Sequence, residues 1–312
     1  MGQLLPDSVR KYHCYLGLSL HYLSKGEYLL ADSLAGMALS SFQVGARDKL
    51  IMARIKARIN DTATAIHYLR LAALNGMELK NITKQTEFEH LQKTVHWQNF
   101  LKDYQGLYNQ YHCNLDMDQV LEIRAIDIAD QLFRRYYSGM IGITKMTIDD
   151  VKRMDSINLS QIKKYIKKYG FPKINQVGYR TLDGFYAIIL HCASEYNKEF
   201  SYIDSIMKLG LYTGDFSPIY YSGVLDFHNY KNTRFEVYSS AMTEKDSFGN
   251  YILRPIENIR RVDLLRCEIG LVPLYFHMAT WKINILPNGY YFDERAFRHQ
   301  IDNYCGCAVS PR

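Results

Sequence analysis

Apolar positions recurring three and four residues apart dominate this chain. Leu16, Leu20 and Leu23, and then Ile51, Ile55 and Ile59, each trace the buried stripe of a helix. This spacing predicts helices over about 8–24, 28–43, 46–59 and 62–75, the last closed by Asn75-Gly76 where a helix C-cap belongs. Residues 105–119, with Gly106, Asn109, Asn114 and several Tyr, show no such stripe and read as a linker or lid. The stripe returns from Gln119 through Val120, Ile123, Ile126, Ile128, Leu132 and Phe133. Asp155 to Asn158 reads as a helix start, with Asn158 or Ser156 capping Leu159 to Tyr169; Gly170 ends that helix and Pro172 prevents restart. The run Phe185 to Leu190 is expected as a buried helix leading into His191. Alternation appears at Arg234–Tyr238 and Tyr251–Leu253, flanking Asp246–Asn250, and predicts a β-hairpin. Helices resume at about 261–269 and 273–282. The expected fold class is mainly α, an α+β chain only by virtue of one small hairpin.

Ala31, Ala35 and Ala38 recur as Ala65, Leu69 and Ala72, and the turn Lys25-Gly26-Glu27 recurs as Ile59-Asn60-Asp61, both displaced by 34 residues. Small residues at that period let paired helices approach closely. The segment resembles a tetratricopeptide array of two units, without the Trp, Gly and Pro signposts of that family. Glu87-Phe88, Leu91, Trp97 and Phe100-Leu101 resemble the Phe/Trp cap that covers the last apolar face of such arrays. The region 8–104 is therefore expected to be tetratricopeptide-like. That resemblance implies a protein or peptide partner. The alternative is an ordinary helical bundle with no binding groove.

A second ordered set follows: Asp130-Gln131-x-x-Arg134, Asp155-x-x-Asn158, Gly170-Phe171-Pro172, Val177-Gly178, an apolar helix ending in His191, Asp226, Val237-Tyr238 and Arg266 ahead of Gly270-Leu271. In order and spacing it resembles a bacterial family known only as a domain of unknown function. The family's pattern runs D-Q-x-x-R, D-x-x-N, G-x-P, V-G, His, Asp, Tyr-Gly and R-x-x-x-G-L. The likeness spans roughly 121–275 within an expected domain at 119–282, and leaves 283–312 as an extension, partly mobile. It departs at two points. Leu190-His191 stands where the family has Gln-His, and Glu236 to Ser240 stands where it has Gln-x-Tyr-Gly-Thr. No activity comes with the resemblance.

His191 follows an apolar run, where a titratable ring must find a partner or shed its charge. Asp130, Asp155 and Asp226 are the candidate partners. His191 with Asp130 and Asp155 forms a candidate catalytic set, the ring acting as general base or with the carboxylates as part of a metal site. The candidate ligand-binding residues are Arg134, Arg266, Asp226 and Tyr238, the arginines being suited to a bidentate grip on a carboxylate or phosphate. The bland readings are a satisfied core His, and arginines that lock helices together. No complete metal motif, nucleophile elbow, P-loop or dinucleotide fingerprint is present, so the metal content and any cofactor stay unknown.

Composition narrows the classes. The net charge of +6 from 38 basic and 32 acidic residues is a mild excess, so no nucleic-acid partner is expected. Lys163, Lys164, Lys167 and Lys168 share a helix face that reads as solvated. No apolar run approaches the roughly 20 residues of a membrane span, so no membrane partner is expected. Met1 to Pro6 has neither the basic flank nor the apolar centre of a signal peptide, which reads as cytoplasmic. A trimmed leader would leave the same start, so export stays open. The six Cys are scattered, as in a reducing compartment, and the Cys305-Gly306-Cys307 pair reads as accidental. The 26 Tyr suit contact surfaces as well as a low-GC genome. The first reading is a protein-, peptide- or ligand-binding module. The alternative is a hydrolase or group-transfer enzyme using His191 with Asp carboxylates, with or without a metal, which convergence of His191, Asp130, Arg134, Asp155 and Arg266 on one concave pocket would favour.

Overall fold

A computed structural model describes residues 5–42, 45–137, 147–193, 198–240, 244–245, 251–281, 283 and 286–305. The fold is mainly α. Helices α1 (Asp7–Lys25), α2 (Tyr28–Ser41), α3 (Ala46–Arg58) and α4 (Thr62–Leu74) form two hairpins. Gly26, at φ 80°, ends α1, and the Asp61 side chain caps α4 by accepting from the Thr64 N–H at 3.2 Å. Ala31, Ala35, Ala38, Ala65 and Ala72 are all fully buried, as their period predicts. A short α5 (Leu79–Thr83) leads to Phe88, Leu91, Trp97 and Phe100, which pack on the far end of the hairpins as a buried apolar layer.

Helix α6 (Val95–Cys113) carries the first correction. Residues 105–113, read as linker or lid, continue this helix. Its stripe consists of Tyr104, Tyr108 and Tyr111, whose rings follow one another at 5.6 and 6.2 Å. Tyrosine carries this helical face, so counting aliphatic residues alone misses it.

Three helices then frame the second core: α7 (Met117–Tyr137), α8 (Ile148–Tyr169) and α10 (Tyr179–Cys192), with the single turn α9 (Ile174–Val177) before the last. Here lies the second correction. Helix α8 starts ten residues before Asn158, at a capping box in which Thr147 and Asp150 satisfy each other's backbone N–H groups. Asp155 and Asn158 are therefore mid-helix residues on its buried face, not caps. Helices α11 (Phe200–Thr213) and α12 (Pro218–Thr233) complete this layer.

The third correction concerns the hairpin. Strand β1 (Glu244–Lys245) pairs antiparallel with β2 (Tyr251–Ile252), so the partner of 251–252 is not the segment 234–238. The backbone of that segment is held elsewhere. The buried Asp226 carboxylate accepts from the N–H groups of Val237, Tyr238 and Ser240 at 2.7, 2.9 and 2.7 Å. Arg234 and Ser239, at φ 67° and 54°, also break the extended path. The expected turn over 246–250 lies outside the described residues.

Helices α13 (Val262–Glu268) and α14 (Leu274–Thr280) fall where predicted, followed by α15 (Glu294–Arg298) and α16 (Ile301–Cys305). These last elements pack on α1 and α2: Cys267, Phe276, Phe297, Ile301 and Tyr304 share their core. Cys14 and Cys305, expected as free thiols, are joined in a disulfide with Cα atoms 5.7 Å apart. A separation of 291 residues hides that pairing from the sequence. Residues 306–312, which hold the second Cys of the expected tail pair, lie outside the described residues. Among the described residues, no helix is long and apolar enough to cross a membrane.

Candidate functional site

Helix α7 presents Gln119, Ile123, Ile126, Asp127 and Asp130 on one buried face, and Arg134 follows one turn later on the same side. Helix α10 crosses that face. The crossing is close because position 184 is glycine: a Cβ there would stand 2.7 Å from the Asp127 carboxyl carbon. Two turns beyond Gly184, His191 therefore reaches Asp130. Helix α8 closes the third side with Asp155 and Asn158, spaced three apart on its inner face.

The resulting network joins four of the residues singled out by sequence. His191 Nδ1 lies 2.7 Å from Asp130 Oδ2. Arg134 Nε lies 3.2 and 3.3 Å from the two Asp130 oxygens and 2.8 Å from His191 Nδ1. Arg134 Nη2 donates to Asp155. Asn158 Nδ2 donates to Asp130 Oδ1 at 2.9 Å, and Gln131 Nε2 to Oδ2 at 3.2 Å. Asn158 and Gln131 belong to the quoted D-x-x-N and D-Q-x-x-R patterns, but the sequence reading gave them no site role.

With its single in-plane site, His191 Nδ1 cannot both accept from Arg134 Nε and donate to Asp130 Oδ2. A bare Nδ1 at 2.7 Å from a carboxylate oxygen would set two lone pairs against each other. Arg134 Nε has the same carboxylate as an alternative acceptor, and a carboxylate is a stronger acceptor than a neutral ring nitrogen. The proton therefore sits on Nδ1 and points to Asp130. That leaves Nε2 as the basic nitrogen, without a partner among the described residues.

Electrostatics divide the two carboxylates. Burial pushes the Asp130 carboxyl up, but the His191 hydrogen bond and charge, with the Arg134 guanidinium, outweigh it and hold the group below its ordinary range. At Asp155 burial wins over Arg134 and the carboxyl is raised. The Asp130 side chain is fully enclosed, whereas His191 and Arg134 each keep 23% of their side-chain surface exposed. The cluster thus has a sealed acidic base and an accessible cationic and imidazole rim. Such a rim can take a proton through Nε2 and meet an anion through Arg134 Nη1, which has no partner among the described residues.

Arg266, Asp226 and Tyr238 lie in a different cluster and share no hydrogen bond or ion pair with His191 among the described residues. Arg266, 1% exposed, donates through Nε to Val272 O at 2.7 Å and through Nη1 to Tyr238 O at 2.5 Å. Together with Asp226 it fastens the 237–240 loop from both sides. Of the three candidate partners for His191, Asp130 makes the contact and Asp155 joins through Arg134. On the lysine face, Lys168 pairs with Glu122 at 3.0 Å and Lys163 pairs with Glu199. No group of three or more potential metal ligands occurs among the described residues.

No protein-family model, curated protein or solved structure matches the chain.

Proposed function

We propose that the second helical unit is a general-base site of a hydrolytic or group-transfer enzyme. In this reading the hairpins of tetratricopeptide type engage a protein or peptide partner. His191 Nε2 takes the proton of a water or hydroxyl as its oxygen attacks an electrophilic centre, then returns it to the leaving group. Asp130 fixes the ring and stabilises the imidazolium formed in between, and Arg134 Nη1 faces an anionic group of the substrate. The observation that carries the reading is the 2.7 Å contact of Asp130 with His191 Nδ1, which turns the basic nitrogen outward. The residues of the D-Q-x-x-R, D-x-x-N and His pattern meet at this one place, which supports treating them as a unit.

One observation favours a second reading, a binding module without catalysis. Asp130 receives donors from α7, α8 and α10, which is what a lock between three helices requires. Chromogenic acetate esters, phosphate esters and glycosides, assayed with wild type and His191→Gln, separate the two. Catalysis predicts turnover of at least one class, lowered roughly 100-fold or more in the variant, with the melting temperature nearly unchanged. Absence of turnover in wild type, or equal turnover in the variant, leaves the binding reading.

A further inference from the structure

A cleft of about 780 Å³ opens where the hairpins meet the second unit, and it contains none of the His191 cluster. Its apolar wall is formed by Phe42, Leu71, Leu74, Leu115 and Ile174. Two close approaches shape that wall. A Cβ at Gly45 would stand 2.6 Å from the Ile174 side chain, and one at Gly214 would stand 2.6 Å from the Phe42 ring. Both glycines therefore let neighbouring elements close around the space.

Lys49, on α3, lines this cleft and is only 9% exposed. A lysine so enclosed ordinarily carries a counter-ion. Lys49 makes no hydrogen bond or ion pair among the described residues. Burial lowers its amine, and the charge of the adjacent Asp48 only partly opposes this. The acid within the cleft, Asp215, is engaged elsewhere: its Oδ1 accepts from the Ile174 N–H at 3.0 Å, and Thr213 supplies a second hydrogen bond. Lys173, at the exposed rim, adds positive charge near Asp215. The cleft therefore combines a greasy wall with one largely buried lysine that makes no hydrogen bond or ion pair among the described residues and has only the charge of Asp48 beside it.

We infer that this cleft binds a carboxylate carried on an apolar stem, the carboxylate pairing with Lys49 and the stem lying on the wall of Phe42, Leu71, Leu74 and Ile174. A single negative charge completes the lysine, and apolar carbon displaces water from the wall. A polyanion fits poorly, because Asp215 lies in the same space.

Isothermal titration of the full chain with hexanoate, and with hexanamide as its uncharged isostere, tests the assignment. Hexanoate, or the peptide Ac-Ala-Ala-Leu with a free carboxyl end, is expected to bind saturably. The corresponding amide is expected to bind roughly tenfold or more weakly, and Lys49→Met to lose the same factor. Met keeps the stem and removes the charge, and thermal melting checks that the variant is folded. If it is not, the acid–amide contrast on wild type decides alone. A tighter peptide acid assigns the carboxylate to a chain end, and a hexanoate at least as tight assigns it to a small acid. Failure of both acids to saturate, equal affinity of acid and amide, or an unchanged affinity in folded Lys49→Met overturns the inference.

Discussion

Asp130 Oδ2 and His191 Nδ1 stand 2.7 Å apart although 61 residues separate them in sequence. The contact depends on Gly184, which lets α10 pass against Asp127, and on the capping box that starts α8 early enough to bring Asp155 and Asn158 alongside. One residue of the pair is sealed and the other half-open. Their roles in stability should differ accordingly.

Replacing Asp130 by Ala leaves Arg134, Asn158 and the His191 Nδ1–H without their shared acceptor. The expected cost is about 3–5 kcal/mol, typical of breaking a buried ionic network from one side. His191→Ala removes a partly exposed ring from the rim and should cost about 1–2 kcal/mol. Urea denaturation of the two variants measures both, and the reverse order would show that the ring, not the carboxylate, holds the helices.

Asp226→Ala should release the 237–240 loop. Three backbone N–H groups lose their acceptor and Arg266 loses the nearby charge, so stability should fall by about 3 kcal/mol or more. Hydrogen exchange at Val237, Tyr238 and Ser240 should accelerate, with the α7 amides unaffected. Unchanged exchange at those three positions would mean that the loop is held by its packing alone.

Burial pushes Asp48 up from 3.8 to about 6, against the hydrogen bond from Tyr12 and the charge of Lys49. A carboxyl raised on folding contributes stability that is complete below about 3.8 and lost as pH rises through about 6. Asp48→Asn removes this dependence. Relative to wild type, the variant should gain stability between pH 4 and pH 7, read from denaturation midpoints at both values. A constant difference across that window would contradict the assignment. Asp130 acts in the opposite sense: its lowered carboxyl contributes stability present above its ordinary value and lost as pH falls through the folded one.

The hairpins were legible because small residues repeat where helices touch: Ala31, Ala38, Ala65 and Ala72 sit at the period and are buried. Asp130, Arg134, Asp155 and His191 were legible as a set because charged residues placed beside apolar stripes need one another. Arg266, Asp226 and Tyr238 were grouped with them, yet they are paired largely with backbone atoms of a loop, and loop paths leave no periodic trace. Residues 105–113 were hidden because their stripe is tyrosine. The Cys14–Cys305 bond joins the first helix to the last and has no local signature at all.

That bond fastens α16 to α1 across 291 residues, so reduction should loosen the C-terminal helices. Cys14→Ser, or reductant, is expected to lower stability by about 2–5 kcal/mol. The loss should be accompanied by faster proteolysis within 286–305. Identical denaturation curves with and without reductant would show that packing of Phe297, Ile301 and Tyr304 suffices.

The general-base reading rests on which ring nitrogen of His191 carries the proton. Long-range proton–nitrogen correlation spectra of the folded chain at neutral pH, assigned with His191→Gln, read this directly. The account predicts a protonated Nδ1 bonded to Asp130 and an unprotonated Nε2 facing outward. An unprotonated Nδ1 accepting from Arg134, with the proton on Nε2, would contradict it.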